Sequence, residues 1–262
     1  MSRIMVAYDP LIEDVPDASH LCQFYSADDG LSLAKNVARY IADGVAFRSN
    51  VIVVATEANK AAFCRELLAM GIDAKRQVGI VFLDADDMLA QFMVEGYPDP
   101  AYFEKNIGSL VRDAFVPDCG LRIYGEMVGV LWSAGRHSAA IRLEQLWNKL
   151  QRDVPFRLFC GYPIDVFSEE FETVAVEAVV CAHSHLLPST SARKLESVIA
   201  RAMEDVMGSR VQPLLRRGDV PQDLGGTPLP AGEALILWLR DHAPAQAHTV
   251  LIRARDHFQQ FD

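Results

Sequence analysis

A chain of 262 residues with 50% hydrophobic and 23% charged side chains is long enough to bury one substantial α/β core and to carry an appendage. Its formal net charge of -10 opposes attraction to a phosphate backbone, so we expect no direct binding of nucleic acid. The 5 cysteines form no CxxC pair, which predicts reduced thiols. No apolar run approaches the roughly 18 residues of a membrane span, and we expect a cytoplasmic protein without a targeting segment.

The first half of the chain alternates helical and extended patterns. Residues 1–19 contain prolines and acidic residues without a period, which predicts an arm before a fold that begins near His20. Apolar residues spaced by four predict helices, and continuous β-branched runs predict strands covered on both faces. The predicted elements are a helix (31–41), a strand (51–55), a helix (59–70), a strand (79–83), a helix (87–94) and a longer helix (102–115).

The same alternation continues to about residue 187. The predicted elements are a strand (121–124), a helix (136–150), a strand (156–160) and a helix (169–185). Strands that alternate with helices of roughly ten to fifteen residues imply right-handed βαβ crossovers. We therefore predict an α/β fold with a mainly parallel sheet and helices on both faces.

The C-terminal part of the sequence has helical patterns only. An amphipathic helix is predicted over 192–207, a glycine- and proline-rich loop over 218–232, and two short helices over 231–241 and 244–258. The predicted organisation is an arm (1–19), an α/β domain (20–187) and a helical region (192–262).

Phosphate binding is disfavoured by the residues after strand 51–55, the first strand that the pattern reveals. A nucleotide-hydrolysing version of this fold needs a glycine-rich loop ending in Lys-Ser or Lys-Thr after its first strand. Residues 55–60 contain no glycine and include Glu57, whose charge repels phosphate. No GxGxxG follows any predicted strand, so the sequence indicates neither ATP nor a dinucleotide and no cofactor is expected.

Glu126 follows strand 121–124, at the edge where α/β sheets place ligand and catalytic groups. In a RecA-type enzyme an acidic residue there would hold magnesium or polarise water. Two other interpretations are hydrogen bonds to backbone amides or to Arg122 near the strand end, and a contact with a ligand. Because phosphate-binding partners and a GxSxG elbow are lacking and Cys160 has no obvious base, we assign no catalytic residue.

Two polar segments bracket the α/β region. Residues 20–25, His-Leu-Cys-Gln-Phe-Tyr, open it, and residues 181–185, Cys-Ala-His-Ser-His, close it. Imidazole and thiolate are ligands that zinc or iron prefers, so the two segments could converge on a metal. However, the Cys-x-His-x-His spacing places its ligands on different faces of a helix. Hydrogen-bonded histidines at a packed helix end are therefore the preferred interpretation, and no metal is predicted.

Aromatic residues gather around the ends of strands 121–124 and 156–160. They are Tyr124, Trp132, Trp147, Phe159 and Tyr162. Aromatic side chains at such positions usually belong to the core. A pocket that they line, closed by a few polar groups, would nevertheless suit a small, weakly polar molecule.

A series of short motifs runs in order through most of the α/β region. They are HLCQFY (20–25), YIADG (40–44), VIVVAT (51–56), GID (71–73), RIYGEM (122–127) with LW (131–132), LEQLWN (143–148), FCGYP (159–163) and HSH (183–185). Together these motifs resemble the MEDS domain, the sensory domain of methanogen and methylotroph proteins and of the dichloromethane-responsive regulator. The resemblance implies a RecA/KaiC-type core that has lost its phosphate loop.

The resemblance also implies a function. A MEDS domain is expected to detect a small molecule, related to simple hydrocarbon derivatives, and to signal to a transcription regulator or a kinase. In the family the domain is commonly joined to a helix-turn-helix or a histidine kinase, and neither pattern is recognisable in this sequence. The signal is therefore expected to leave through the helical tail or through a partner protein.

We accordingly predict a non-catalytic sensor whose ligand pocket lies at the C-terminal edge of the sheet. The predicted ligand-binding residues are His20, Tyr25, Asp84, Tyr124, Glu126, Trp132, Tyr162 and His183. Two alternatives stay open. One is a degenerate RecA-type ATPase, and the other is an interaction module in which the 192–207 helix pairs with a partner or with a second copy as a homodimer.

Overall fold

The computed structural model describes residues 18–26, 30–188, 192–208 and 220–260, so the predicted arm lies outside the described residues except for its last two. The strands are β1 (His20–Phe24), β2 (Asn50–Ala55), β3 (Ile80–Asp84), β4 (Met93–Val94), β5 (Tyr97–Pro98), β6 (Leu121–Gly125), β7 (Arg157–Tyr162), β8 (His185–Leu187), β9 (Asp223–Leu224) and β10 (Thr227–Pro228). The helices are α1 (Gly30–Ala46), α2 (Glu57–Ala69), α3 (Ala85–Ala90), α4 (Pro100–Phe103), α5 (Ser109–Ala114), α6 (Met127–Ser133), α7 (His137–Asp153), α8 (Thr173–Val180), α9 (Ala192–Met207), α10 (Ala231–His242) and α11 (Pro244–Gln259), with a π-helical turn (Glu104–Gly108) between α4 and α5.

Six parallel strands form the central sheet, in the order β3-β2-β6-β7-β1-β8. Helices cover both faces of this sheet, which explains why β2 is a continuous apolar run. The prediction of an α/β fold with mainly parallel strands is confirmed. Because the strands are parallel, their carboxyl ends meet at one edge, and the residues that follow β2, β6 and β7 become neighbours there.

The sequence pattern misses two strands of this sheet. β1 lies between β7 and β8, but its sequence, HLCQF, contains no β-branched residue and carries the polar His20 and Gln23. Both side chains are buried and have hydrogen-bond partners from other elements, which the local pattern does not reveal. The single helix predicted over 169–185 is also wrong, since α8 ends at Val180 and the chain then forms β8.

Local turns account for two other differences. The helix predicted over 87–94 ends at Ala90, and β4 pairs with β5 in a hairpin instead. Glu95 and Gly96 between them have positive φ values of 49° and 87°, as a tight hairpin turn requires. Gly44 does not end α1, which continues to Ala46. A Cβ at this position would lie 2.6 Å from Cγ2 of Val51, so the glycine lets α1 pack closely on β2.

The sheet separates two hydrophobic cores. The smaller core includes residues of α1 and α2, with Phe63, Tyr124 and Phe159 among its members. The larger core lies on the opposite face, against α3 to α8, and includes Trp132 and Trp147. Residues of α9, α10 and α11 also belong to the larger core, so the helical tail packs on that side of the molecule.

The apolar side of α9 is covered by helices of the same chain. Leu195, Val198 and Met203 are buried, and α9 packs against α10 and α11. The helix predicted over 192–207 is confirmed, but its apolar stripe is already occupied and is not free to pair with a second copy. In the described part of the predicted loop 218–232, β9 and β10 form a short hairpin. Throughout the described ranges, no helix has the length and apolarity needed to span a membrane.

Candidate functional site

The Glu126 carboxylate lies where β2 and β6 end, at the C-terminal edge of the sheet. Its Oε2 accepts a hydrogen bond from the backbone N–H of Thr56 at 2.8 Å, and its Oε1 accepts from the Tyr25 hydroxyl at 3.3 Å and from the Asn59 amide. The interpretation that Glu126 bonds a backbone amide is therefore confirmed. Arg122 is not its partner, since that guanidinium donates to the backbone carbonyl of Tyr40, in α1, at 3.3 Å.

Burial raises the pKa of Glu126, because it disfavours the charged carboxylate more than the hydrogen bonds from Thr56, Asn59 and Tyr25 favour it. The stability advantage of the wild-type chain over a Glu126→Gln variant should therefore decrease as the pH rises. The folded chain keeps this proton after the unfolded chain has lost it, so the contribution is fully present below the unfolded-state pKa of about 4.3 and is lost as the pH rises through the folded-state pKa.

Urea denaturation of both chains at a series of pH values between about 4 and 8 measures this difference. A difference in free energy of unfolding that stays constant or grows with pH would contradict the raised pKa.

Two other predicted ligand residues have structural contacts. The ring of Tyr124 packs edge-on against Phe63 and Phe159, at centroid distances of 5.1 and 5.5 Å, inside the smaller core. The carboxylate of Asp84 caps α3 by accepting from the backbone N–H of Asp86 at 3.0 Å, and it pairs with Lys60 at 3.1 Å. The backbone N–H of Asp87, which donates to the same carboxylate at 3.2 Å, lowers the pKa of Asp84 most, and Lys60 lowers it further.

β2, the first strand that the sequence pattern predicts, is the second strand of the fold. β1 precedes it, and the residues after β1 are Tyr-Ser-Ala-Asp-Asp-Gly (25–30), of which 27–29 lie outside the described residues. This segment contains one glycine and no lysine, so it also lacks the sequence of a phosphate loop. The first lysine after β2 is Lys60, in the first turn of α2, and it is paired with Glu57 and Asp84.

A second polar site lies on the opposite face of the sheet, within the larger core. His20, Glu144, Cys160 and His183 are all buried and bring one ligand atom each within 4.8 Å of the others. We call these four residues the buried cluster. One oxygen of Glu144 lies 3.2 Å from Nε2 of His20, and the other lies 3.2 Å from Nε2 of His183. The Cys160 Sγ lies 3.4 Å from Nε2 of His20.

Four elements supply the buried cluster. β1 and β7 are parallel neighbours in which Cys22 pairs with Cys160, so His20 and Cys160 have the same side-chain direction. α7 crosses below them and contributes Glu144 from its buried side. His183 comes from the turn between α8 and β8, and its ring lies 4.1 Å from that of His20.

The Nδ1 atom of each histidine lies within hydrogen-bond distance of an oxygen acceptor. Nδ1 of His183 lies 2.6 Å from the carbonyl of Val179, and Nδ1 of His20 lies 3.0 Å from Oδ1 of Asn148. The Asn148 amide nitrogen donates to the carbonyl of Ala182 at 2.8 Å, which fixes Oδ1 as the acceptor for His20. Each Nδ1 therefore carries its proton, and each Nε2 faces the other members of the buried cluster.

The electrostatics of the buried cluster favour one ion pair. Burial opposes ionisation of Glu144, but the two histidines lower its pKa well below the usual range. Burial also opposes charging of His183, yet Cys22 and Glu144 raise its pKa above the ordinary value, whereas burial lowers the pKa of His20. Burial raises the pKa of the Cys160 thiol, which is the opposite of what a nucleophilic cysteine needs.

The sequence interpretation includes only half of the buried cluster. The pattern predicts no site role for Glu144 and Asn148, although both lie in the predicted helix 136–150, and it offers Cys160 only as a nucleophile without a base. The available signal was Glu144 itself, a charged residue beside Leu143 on an apolar helical stripe, because a buried carboxylate needs partners. The two other ligands considered for a metal, Cys181 and His185, point elsewhere. Cys181 is exposed and His185 bonds Ser184.

An open groove of about 860 Å³ lies beside Trp132, between the β4–β5 hairpin, α7 and α8. We call it the Trp132 groove. Its lining combines apolar groups, such as Val174 and Ala178, with the polar Arg142 and His137, and the His137 ring stacks on Trp132 at 4.2 Å. The inner side of Trp132 contacts the Tyr162 ring at 5.6 Å, and the Tyr162 hydroxyl donates to Glu144 at 2.6 Å.

The predicted ligand residues therefore do not meet in one pocket. The first group, Tyr25, Tyr124 and Glu126, lies at the C-terminal edge and in the smaller core. The second group consists of Trp132, Tyr162, His20 and His183, on the side of the larger core. Asp84 belongs to neither group. The sheet separates these residues, because residues that share one sheet edge still point to opposite faces.

Residues 19–184 match a protein-family model described as MEthanogen/methylotroph, DcmR Sensory domain, abbreviated MEDS. No curated protein matches the chain. One solved structure that it resembles is described as "Structure of C. elegans PCH-2", with 10% sequence identity over 90% of this chain and 70% of that chain. The TM-score of that comparison, 0.29, is too low to support an argument from it.

Proposed function

Since this chain belongs to the MEDS family of sensory domains, whose model covers residues 19–184, we propose that it senses a small organic molecule in the Trp132 groove and relays the signal to a regulatory protein. The family suggests the sensory role. The class of ligand, its binding in the Trp132 groove, the transfer of the signal to a partner and the absence of catalysis are parts of our proposal.

The shape and chemistry of the groove support ligand binding. Its volume of about 860 Å³ is within the range of small-molecule sites, about 300–1,000 Å³. Its apolar walls and the charged Arg142 at its rim would suit a ligand with an apolar body and one polar or acidic group. A one-carbon compound such as dichloromethane would fill only a small part of this space, so we propose a larger ligand or several small molecules bound together.

The observation that carries the proposal is a continuous series of contacts from the groove to the helical tail. Trp132 contacts Tyr162, the Tyr162 hydroxyl bonds Glu144, and Glu144 lies against His183. The backbone carbonyl of His183 accepts a hydrogen bond from the Thr227 hydroxyl at 2.8 Å, and Thr227 belongs to the β9–β10 hairpin of the tail.

A second connection runs through α8, which forms a wall of the groove. Val174 and Ala178 line the groove, and the Thr173 hydroxyl at the start of the same helix donates to Asp241 of α10 at 3.0 Å. A ligand that contacts α8 would therefore bias the arrangement of the tail. A ligand that binds one arrangement of the tail more tightly than another shifts the population between them, and a non-catalytic sensor requires nothing more. The regulatory partner, a kinase or a transcription regulator, would recognise the tail in one of them.

Filling the groove should abolish ligand binding. Ala178 is exposed on the groove wall, so an Ala178→Phe substitution adds a ring to the cavity without disturbing the core. We expect native mass spectrometry of the wild-type chain, purified from its own host, to detect a bound organic molecule, and we expect the Ala178→Phe chain to lack it.

The matched control is Ala69→Phe, which places the same ring on an exposed position of α2 that is not part of the groove. This control should retain the molecule. Adding the identified molecule to the wild-type chain should change amide hydrogen exchange in the β9–β10 hairpin and in α10, whereas Ala178→Phe should show no change. Equal binding by Ala178→Phe and the wild-type chain would exclude the Trp132 groove as the site.

A further inference from the structure

We infer that the buried cluster of His20, Glu144, Cys160 and His183 is a closed binding site for a divalent transition metal, with zinc as the expected ion. This inference does not require a ligand in the Trp132 groove, although the series of contacts from the groove to the tail passes through Glu144 and His183. It contradicts the sequence-based expectation that the chain binds no metal, which was reached without Glu144 as a ligand.

The distances that join His20, Cys160 and His183 to the Glu144 carboxylate are close to those of tetrahedral coordination, and one ligand atom from each residue lies within 4.8 Å of the others. Zinc bonds of about 2.0–2.3 Å to nitrogen, oxygen and sulfur place tetrahedral ligand atoms about 3.3–3.6 Å apart. In the buried cluster, Nε2 of His20 lies 3.2 Å from the Glu144 carboxylate and 3.4 Å from the Cys160 Sγ. The Cys160 Sγ lies 3.8 Å from the same carboxylate, and His183 lies 3.2 Å from its other oxygen.

The surroundings of the two histidines are those of metal ligands. A histidine that binds a metal through one nitrogen almost always donates its other N–H to a carbonyl or carboxylate oxygen. Both histidines do so here, His183 to the carbonyl of Val179 and His20 to Asn148. The Tyr162 hydroxyl, in turn, donates to Glu144 and orients that carboxylate. Both Nε2 atoms thus face the Glu144 carboxylate, each beside a different oxygen.

One atom of the buried cluster has a charged neighbour but no hydrogen bond. Nε2 of His183 is buried and, among the described residues, no group meets hydrogen-bond geometry with it, although the Glu144 carboxylate is 3.2 Å away. A buried polar atom without a hydrogen bond is costly, and a metal at the centre would use its lone pair.

The charge balance also favours a divalent ion. Two neutral imidazoles, one carboxylate and one thiolate carry a charge of about -2, which a divalent cation cancels. Such a neutral assembly avoids leaving a net charge in the larger core. Because all four residues are buried and no position faces solvent, the site resembles structural metal sites, in which the ion enters while the chain folds.

The competing explanation is a metal-free ion pair between Glu144 and His183. Elemental analysis of the purified full chain separates the two explanations. We expect about one zinc per chain in the wild type. The wild-type chain also provides a test that needs no variant. Refolding with Zn²⁺ at about 100 times its Kd should raise Tm by roughly 5–10 °C over refolding with a chelator.

Cobalt(II) adds a spectroscopic readout of the proposed ligands. After refolding with Co²⁺, the wild-type chain should show the visible bands of a tetrahedral cobalt site and a thiolate-to-cobalt charge-transfer band. Cys160→Ser should lose the charge-transfer band. The matched control, Cys181→Ser, removes an exposed thiol near His183 and should keep it.

Two variants on α7 test the hydrogen bond that orients the His20 ring. Asn148→Ala removes the acceptor for Nδ1 of His20 and should weaken zinc affinity by about 10–100-fold in competition with a chelator. Gln151→Ala also removes hydrogen bonds of α7, to the carbonyls of Ser19 and Phe156, but none to the buried cluster, so it should leave the affinity unchanged.

Two results would overturn the inference. The first is a wild-type chain that contains no transition metal and whose Tm is the same after refolding with zinc, cobalt or chelator. The second is a folded Cys160→Ser chain that binds metal with the wild-type stoichiometry and charge-transfer spectrum, because the thiolate would then come from another residue.

Discussion

Glu144→Gln is expected to lower the free energy of unfolding by about 3–5 kcal/mol. The substitution keeps the size of the side chain but removes the charge that lies between His20 and His183, and that accepts the Tyr162 hydroxyl. Because Glu144 is fully buried, water cannot replace these interactions. Urea denaturation, after both chains have been refolded with a chelator, measures the effect of the charged group itself.

The control is Glu177→Gln, which makes the same change at an exposed position of α8. A surface substitution of this kind should change the free energy of unfolding by less than about 0.5 kcal/mol. If Glu144→Gln lowered the free energy of unfolding by no more than this control does, the carboxylate would not be the charged centre of the buried cluster.

Gly129→Ala is expected to destabilise the fold by about 1–3 kcal/mol, although the same change inside a helix normally stabilises by about 1 kcal/mol. A Cβ at this position of α6 would lie 2.5 Å from the carbonyl oxygen of Gly161 and 3.0 Å from Cδ of Pro163. A backbone carbonyl cannot rotate out of the way as a flexible side chain can. α6 must therefore move away from the end of β7, and Trp132, on the same helix, must move away from Tyr162.

Gly125→Ala serves as the comparison, because its Cβ would make an ordinary contact with Leu158 at 3.7 Å. Its effect on thermal and urea denaturation should be smaller than that of Gly129→Ala. A stabilising effect of Gly129→Ala would contradict the close packing of α6 on β7.

The regular part of the fold could be predicted from periodicity because local pattern and tertiary environment agree there. β2 is a continuous apolar run that is buried on both faces, and α9 has one apolar side that is covered. β1 could not be predicted in this way. Its buried His20 and Gln23 bond residues of other elements, Asn148 and Asn36, and the alternation within one strand contains no information about such partners.

The candidate sites depend still more on contacts between distant residues. Glu126 was identifiable as a strand-end carboxylate, but its hydrogen bonds to Thr56 and Asn59 require β2 and β6 to be neighbours. The buried cluster needs the strand order in addition, since only the placement of β1 between β7 and β8 brings His20 to Cys160 and His183. The ordered family motifs indicated the domain, but they did not reveal which of their residues meet.

The position of β1 also has a consequence for synthesis of the protein. In the described sheet its hydrogen-bonded neighbours are β7 and β8, and 140 residues separate His20 from Cys160. A ribosome that adds about 5–20 residues per second needs roughly 7–28 s to make that stretch. During this time the first strand of the sheet has both edges unpaired, while β2 and β3 can already associate. The nascent chain is therefore most exposed to aggregation, and most dependent on chaperones, before its last strands emerge.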